Sequence, residues 1–345
     1  MKTLKKVTKK KLILAISIVL LIVIVWMTTV NIVAAKDRGQ FTDSVFEGVP
    51  TPTNDRIISA FTDGDICWEM AYWSAMMAEF TYSRELYPSY NFAMETLGFS
   101  AVRVHTYFEH NDEYRSNLML DAGVKTIYGD DGSFTLLAIA FRGTVPPTVD
   151  SRAARINMQH NIDIFSQLWG ETGARVHRGF YEQHNNILSN IFPVLSEVFD
   201  IDLLNTVDAD MKIWLSGHSM GGTFAELFTL DLIERGMCPQ MILAYSIAAP
   251  FVGCRQLRDH ANETGAARRI FRIAHRRDLV AHVGFGLMWG HSLAHEDNII
   301  SFGEWGLLNS RRHLLTRTYL PFIIEQNESN LREQMQNAFY VTNLR

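Results

Sequence analysis

Residues Met211–Arg235 read MKIWLSGHSMGGTFAELFTLDLIER. Met211–Leu215 is an apolar run through Ile213, Trp214 and Leu215, as expected of a buried strand. Met220–Arg235 sets Phe224, Leu227, Phe228 and Leu232 on one helical face, and Gly236 ends the pattern. Between them lies Gly217-His218-Ser219-Met220-Gly221, a G-x-S-x-G turn. A strand running directly into such a turn and a helix running directly out is the geometry of a nucleophile elbow. The turn is sharp, so the residues flanking Ser219 must be small. Gly217 and Gly221 meet that need, and Gly222 lets the helix pack closely on the sheet. Ser219 would then stand clear of the sheet at a helix N-terminus, where positive partial charge favours a developing anion.

On either side the chain keeps alternating. Phe134–Phe141, reading FTLLAIAF, suits a strand covered on both faces. Further strands are expected at Met241–Ala249 and Arg269–Ala274. Ile66–Tyr82 has helical spacing through Trp68, Met70, Ala71, Ser74, Ala75 and Ala78. Strands alternating with helices predict an α/β fold with a mainly parallel central sheet and helices on both faces.

A serine hydroxyl is a poor nucleophile until a base accepts its proton. An elbow sets the partners in chain order as serine, acid, histidine. Asp278 follows the Arg269–Ala274 strand through His275-Arg276-Arg277 and fits the acid, with Asp297 as its rival. His313 precedes the aromatic-containing segment Leu314–Phe322 and fits the base, with His291 and His295 as rivals. His282 is only four residues beyond Asp278, too near to reach across. Gly290-His291-Ser292-Leu293-Ala294 imitates the elbow, but no apolar strand leads into it and its last residue is not Gly. An oxyanion hole needs two backbone N–H groups, one after the nucleophile and one from the loop after an earlier strand. Met220 supplies the first, and Thr144 of Phe141-Arg142-Gly143-Thr144 can supply the second. This chemistry calls for neither a metal nor a cofactor.

Composition bounds the rest. Of 345 residues, 47% are hydrophobic and 20% charged, which excludes a disordered chain. Residues 1–35 hold six Lys and no acid, leaving 26 basic against 37 acidic residues, a balance of −11. So acidic a body argues against a nucleic-acid partner. Lys2, Lys5, Lys6, Lys9, Lys10 and Lys11 precede an uncharged run from Leu12 to Ala35. As a helix that run would span about 36 Å, enough to cross a bilayer core of roughly 30 Å. The lysines would stay cytoplasmic, making the chain single-pass with residue 36 onward extracytoplasmic. The alternative is secretion after cleavage near Ala35, where Val33-Ala34-Ala35 would serve as the site. Residues 36–58, with Pro50 and Pro52, read as a linker or arm, and 59–345 as one catalytic domain. Cys67, Cys238 and Cys254 allow at most one bridge, which excludes a disulfide scaffold. Asn262 and Asn327 begin glycosylation triplets.

Taken in order, these motifs resemble the class 3 lipases, the fungal-type triacylglycerol lipase family of the α/β-hydrolase fold. The resemblance runs from about Phe134 to Leu320. It rests on Ala140-Phe141-Arg142-Gly143-Thr144, Val176-His177-Arg178-Gly179-Phe180, Ser216–Gly222, Ala249-Pro250-Phe251-Val252-Gly253, and the Asp278 and His313 segments. It implies Ser219, Asp278 and His313 as the triad, Thr144 and Met220 as oxyanion residues, and lipid esters as substrate. It also implies a lid just after the oxyanion strand, a role Val149–Phe165 could fill with Ile156, Met158, Ile162, Ile164 and Phe165. Three departures stand out. Met220 replaces the common Leu, no proline follows Asp278, and Val145-Pro146-Pro147 replaces the usual small polar residues. The family's acidic residue near that loop corresponds best to Asp163. A phospholipase A1 or lysophospholipase is the alternative activity. A hydrolase-fold binding protein without catalysis is the alternative class, against which stands the presence of all five candidate residues.

Overall fold

The computed structural model describes residues 50–82, 92–110, 113–145, 151–161, 165–203, 210–282, 290–327, 331–332 and 336. The expected membrane segment 12–35 lies outside the described residues, as do Asp163, Ile162 and Ile164 of the expected lid. Among the described residues no helix is long and apolar enough to cross a membrane.

In chain order the elements are α1 Asn54–Thr62, α2 Trp68–Phe80, α3 Phe92–Thr96, β1 Ser100–His110, β2 Glu113–Gly129, β3 Gly132–Phe141 and α4 Ser151–Asn161. Then follow β4 Ser166–Leu168, β5 Arg175–His177, α5 Arg178–Asn186, α6 Phe192–Phe199, β6 Met211–His218 and α7 Met220–Glu234. The chain continues with β7 Ile242–Ile247, α8 Arg255–Glu263, β8 Ile270–His275, α9 Leu279–His282, β9 Ile299–Phe302 and α10 Leu320–Glu325. Seven strands form the main sheet in the order β1-β2-β3-β6-β7-β8-β9. The first three pair antiparallel, and β3, β6, β7, β8 and β9 pair parallel. Register sets Phe141 beside Gly217 and Gly217 beside Ser246, so β3, β6 and β7 end together at one edge.

The parallel half follows from the apolar runs that predicted it. Successive residues of β6 feed opposite cores. Trp214 joins α2, Tyr245, Tyr319 and Ile323, whereas Ile213 and Leu215 join Phe141, Phe224 and Phe228. Helix α2 is buried along its whole length from Met70 to Phe80 and not along one stripe. It lies between β6 on one side and α10 on the other, so both faces are covered. Trp214 Nε1 donates to Ser74 Oγ of α2 at 2.8 Å.

Strands β1 and β2 were not anticipated, because a charge interrupts their pattern. Leu120, Asp121 and Ala122 are all buried, so β2 is covered on both faces. Arg103 of β1 offsets the charge, donating to both Asp121 oxygens at 2.6 and 2.7 Å. Burial pushes the Asp121 carboxyl up, and Arg103 opposes the rise. Helix α1 begins at Asn54, inside the stretch read as linker, and buries Ile57, Ala60 and Phe61. The three cysteines are unpaired. Asn262 is exposed, whereas Asn327 is buried with its amide donating to Ile323 O, a poor glycosylation acceptor.

Candidate active site

Ser219 separates β6 from α7 with φ 58° and ψ −131°, a conformation L-residues avoid. Such strain costs about 1–3 kcal/mol and persists only where packing enforces it. Here the enforcement is close backbone contact. A Cβ at Gly217 would lie 2.2 Å from Gly221 C, and one at Gly221 would lie 2.1 Å from Phe141 O. The Ser219 amide donates to Ile247 O at 2.9 Å, tying the turn to β7.

The structure brings Ser219, His313 and Asp278 together. Ser219 Oγ lies 2.8 Å from His313 Nε2, and His313 Nδ1 lies 2.9 Å from Asp278 Oδ2. An ionised carboxylate only accepts, so Nδ1 carries the ring proton and Nε2 is left to accept from the hydroxyl. Asp278 is fully buried, and its other contacts are donors. Oδ1 accepts from Val280 N at 2.9 Å and Ala281 N at 3.4 Å, and Oδ2 also accepts from Tyr319 OH at 2.6 Å. Burial first, and the adjacent carboxylate second, push the Tyr319 phenol well above its usual range, so it remains a donor.

Four further side chains hold the site, and none was anticipated. His218 Nε2 donates to the His313 carbonyl at 2.9 Å, leaving Nδ1 to accept from Tyr82 OH at 3.1 Å. A Cβ at Gly143 would meet that same phenol oxygen at 2.0 Å. Only the pairing partners reveal His218; in sequence it is the variable residue of the G-x-S-x-G turn. Asn161 Nδ2 donates to Thr144 Oγ1 at 2.6 Å, and Asn157 Oδ1 accepts from Val145 N at 3.3 Å. Both asparagines lie on one face of α4, the helix read as part of a lid. Ile156 of α4 is buried, while Phe165 is exposed.

Thr144 Oγ1 and Met220 Sδ lie 4.0 Å apart, so the two candidate oxyanion residues are neighbours. Met220 opens α7, where first-turn amides lack intrahelical acceptors. The rival residues are engaged elsewhere. Asp297 lies before β9, at the far edge of the sheet, beside His295 and Arg268. His291 pairs through its backbone with Gly253, and His282 Nε2 contacts His275 O at 3.2 Å. Burial lowers the pKa of both His282 and His291. Ser292, centre of the imitation elbow, gives its hydroxyl to Glu226 of α7. Glu226 also accepts from Ser246 Oγ at 2.7 Å, Leu293 N at 2.8 Å and Arg272 at 3.3 Å. This buried polar cluster braces the helix that follows Ser219. Among the described residues no group of three or more His, Cys, Asp or Glu could hold a metal ion.

Comparison with known proteins gives likenesses over part of the chain. Residues 138–287 match the family model described as lipase (class 3). The chain is 30% identical over 147 residues to lipases of Rhizopus niveus and Rhizopus oryzae, covering 42% of this chain and 34% of each relative. It is 27% identical over 114 residues to a lipase of Rhizomucor miehei, covering 32% of this chain and 29% of the relative. The matched chain thus spans about a third of the length of these curated relatives. Among solved structures, the Rhizomucor miehei lipase propeptide complex is similar with a TM-score of 0.43 and 19% identity, covering 64% of each chain. Over residues 138–287, then, the resemblance read from the motifs holds, and the chain is similar to the class 3 lipases.

Proposed function

We propose that the chain is a serine carboxylic-ester hydrolase acting on lipid esters, with Ser219, His313 and Asp278 as its triad. The observation that carries the reading is the continuous hydrogen-bonded line from Ser219 Oγ through the His313 ring to Asp278 Oδ2, at 2.8 and 2.9 Å. Ser219 Oγ attacks the ester carbonyl carbon while His313 Nε2 takes its proton. Asp278 holds the ring and stabilises the imidazolium. The N–H groups of Thr144 and Met220 receive the oxyanion of the tetrahedral intermediate. His313 then protonates the leaving alcohol. In the second half it takes a proton from water, whose hydroxyl oxygen attacks the acyl carbon and frees the acid and Ser219. The apolar run 12–35 would hold this domain at a membrane, on its extracytoplasmic side.

Ser219→Ala should reduce ester turnover by a factor on the order of 10⁴ or more with the fold intact. A fluorophosphonate probe should label the wild type and not the variant. Unlabelled wild type would favour a binding protein on a hydrolase fold. Triolein, a monoester and phosphatidylcholine, assayed side by side, separate a triacylglycerol lipase from a phospholipase A1.

A further inference from the structure

Between β9 and His313 the chain crosses the surface as Gly303-Glu304-Trp305-Gly306-Leu307-Leu308, and all six residues are exposed. Trp305 is 78% exposed, Leu307 86% and Leu308 50%. Three large apolar side chains within four residues are therefore left in water. The loop that carries them is firmly held. Arg276 N donates to Phe302 O at 2.9 Å and its guanidinium to Gly303 O at 2.7 Å. Arg277 Nε donates to Leu307 O at 3.1 Å, and Asn309 N donates to Arg277 O at 2.7 Å. The apolar groups are thus displayed from a tied backbone, at the edge of the sheet where Asp278 and His313 lie.

Their surroundings are basic. The Arg276 guanidinium lies 5.8 Å from the Trp305 ring centre. Arg277 lies beneath the loop, and Arg311 and Arg312 are exposed just after it. Glu304 is the one acid in the loop itself. No described carboxylate forms an ion pair with any of these four arginines, whereas Arg103, Arg235 and Arg272 elsewhere are paired. An exposed aromatic beside apolar side chains, rimmed by unneutralised arginines, matches the headgroup region of an anionic bilayer. A second copy of this surface fits less well, because a symmetric pairing would bring like charges together.

We propose that residues 303–309, with Arg276, Arg277, Arg311 and Arg312, dock on an anionic phospholipid surface. Trp305, Leu307 and Leu308 enter the interface, and the arginines meet lipid phosphates. The docking stands apart from the hydrolase reading and is measured without turnover.

The test is hydrogen–deuterium exchange on the full chain, reconstituted in vesicles of phosphatidylcholine alone or of phosphatidylcholine with phosphatidylglycerol. The expected result is severalfold slower exchange across 303–309 with phosphatidylglycerol only, reversed by high salt. The hairpin around Tyr128, exposed at the opposite edge of the sheet, should not change. Trp305→Ser/Leu307→Ser and Arg311→Gln/Arg312→Gln should each weaken the slowing, and should melt as the wild type does. Should a variant fail to fold, the wild-type comparison of the two lipids still decides. Unchanged exchange at 303–309, or equal slowing on the neutral vesicles, would overturn the proposal. So would slowing that tracks protein concentration without lipid, which would assign the surface to a second copy.

Discussion

Tyr319 OH and His313 Nδ1 share one acceptor, Asp278 Oδ2, at 2.6 and 2.9 Å. The shorter bond belongs to the phenol, so part of the carboxylate's capacity is committed away from the imidazole. Removing the phenol takes a donor from a buried carboxylate, and hydrogen bonds to charged groups are worth about 1.5–3 kcal/mol. Tyr319→Phe should therefore lower kcat/KM by roughly tenfold. Steady-state rates on a soluble ester would check this, and an unchanged kcat/KM would refute it.

Asn161 sets the Thr144 hydroxyl from the side of α4. If Thr144 helps to receive the oxyanion, its orientation matters most in the transition state. Asn161→Ala should then lower kcat by about tenfold, less than the roughly 10²–10³ lost when an oxyanion donor is removed outright, and leave KM nearly unchanged. A rise in KM with kcat constant would instead make Asn161 a substrate contact.

Glu226 and Arg272 are both buried, and Glu226 joins β7, β8 and the segment through Ser292 and Leu293 to α7. Glu226→Ala leaves a buried guanidinium uncompensated, which costs about 3–5 kcal/mol. Glu226→Gln keeps an acceptor and should cost less. Urea unfolding of the three proteins gives the order wild type, Gln, Ala.

Lys125 donates to Leu97 O at 2.9 Å and lies over the Phe99 ring, and burial lowers its pKa to about 8. The folded amine titrates below its unfolded value of 10.5, so between these limits the unfolded chain binds more protons. Stability contributed by this group therefore rises with pH across that window. Below pH 8 the buried charge is a burden. Lys125→Met should raise Tm at pH 7, and the gain should shrink as pH approaches 10.5. Thermal melts of both proteins at pH 7 and 10 would check the sign.

The parallel half of the sheet and the elbow were legible because apolar runs and glycine spacing are local. Phe134–Phe141 differs from β3 only by two residues at its start, and Met220–Arg235 from α7 by one at its end. What stayed hidden is long-range. β1 and β2 escaped because Asp121 breaks an apolar run, and its partner Arg103 is known only once the strands pair. Tyr82 and His218 are 136 residues apart, and no pattern in either neighbourhood announces their contact. Chain order admits all four downstream histidines, and His313 stands out among them by preceding the aromatic-containing segment Leu314–Phe322. His291 sits in an elbow-like stretch that no apolar strand enters, and its backbone pairs with Gly253 instead.

Ser219 and His313 are separated by 94 positions along the chain. Synthesis proceeds at about 5–20 residues per second, so the hydroxyl emerges from the ribosome some 5–20 seconds ahead of the imidazole that would activate it. Under the proposed triad, ester hydrolysis would therefore wait for the C-terminal segment to emerge and pack.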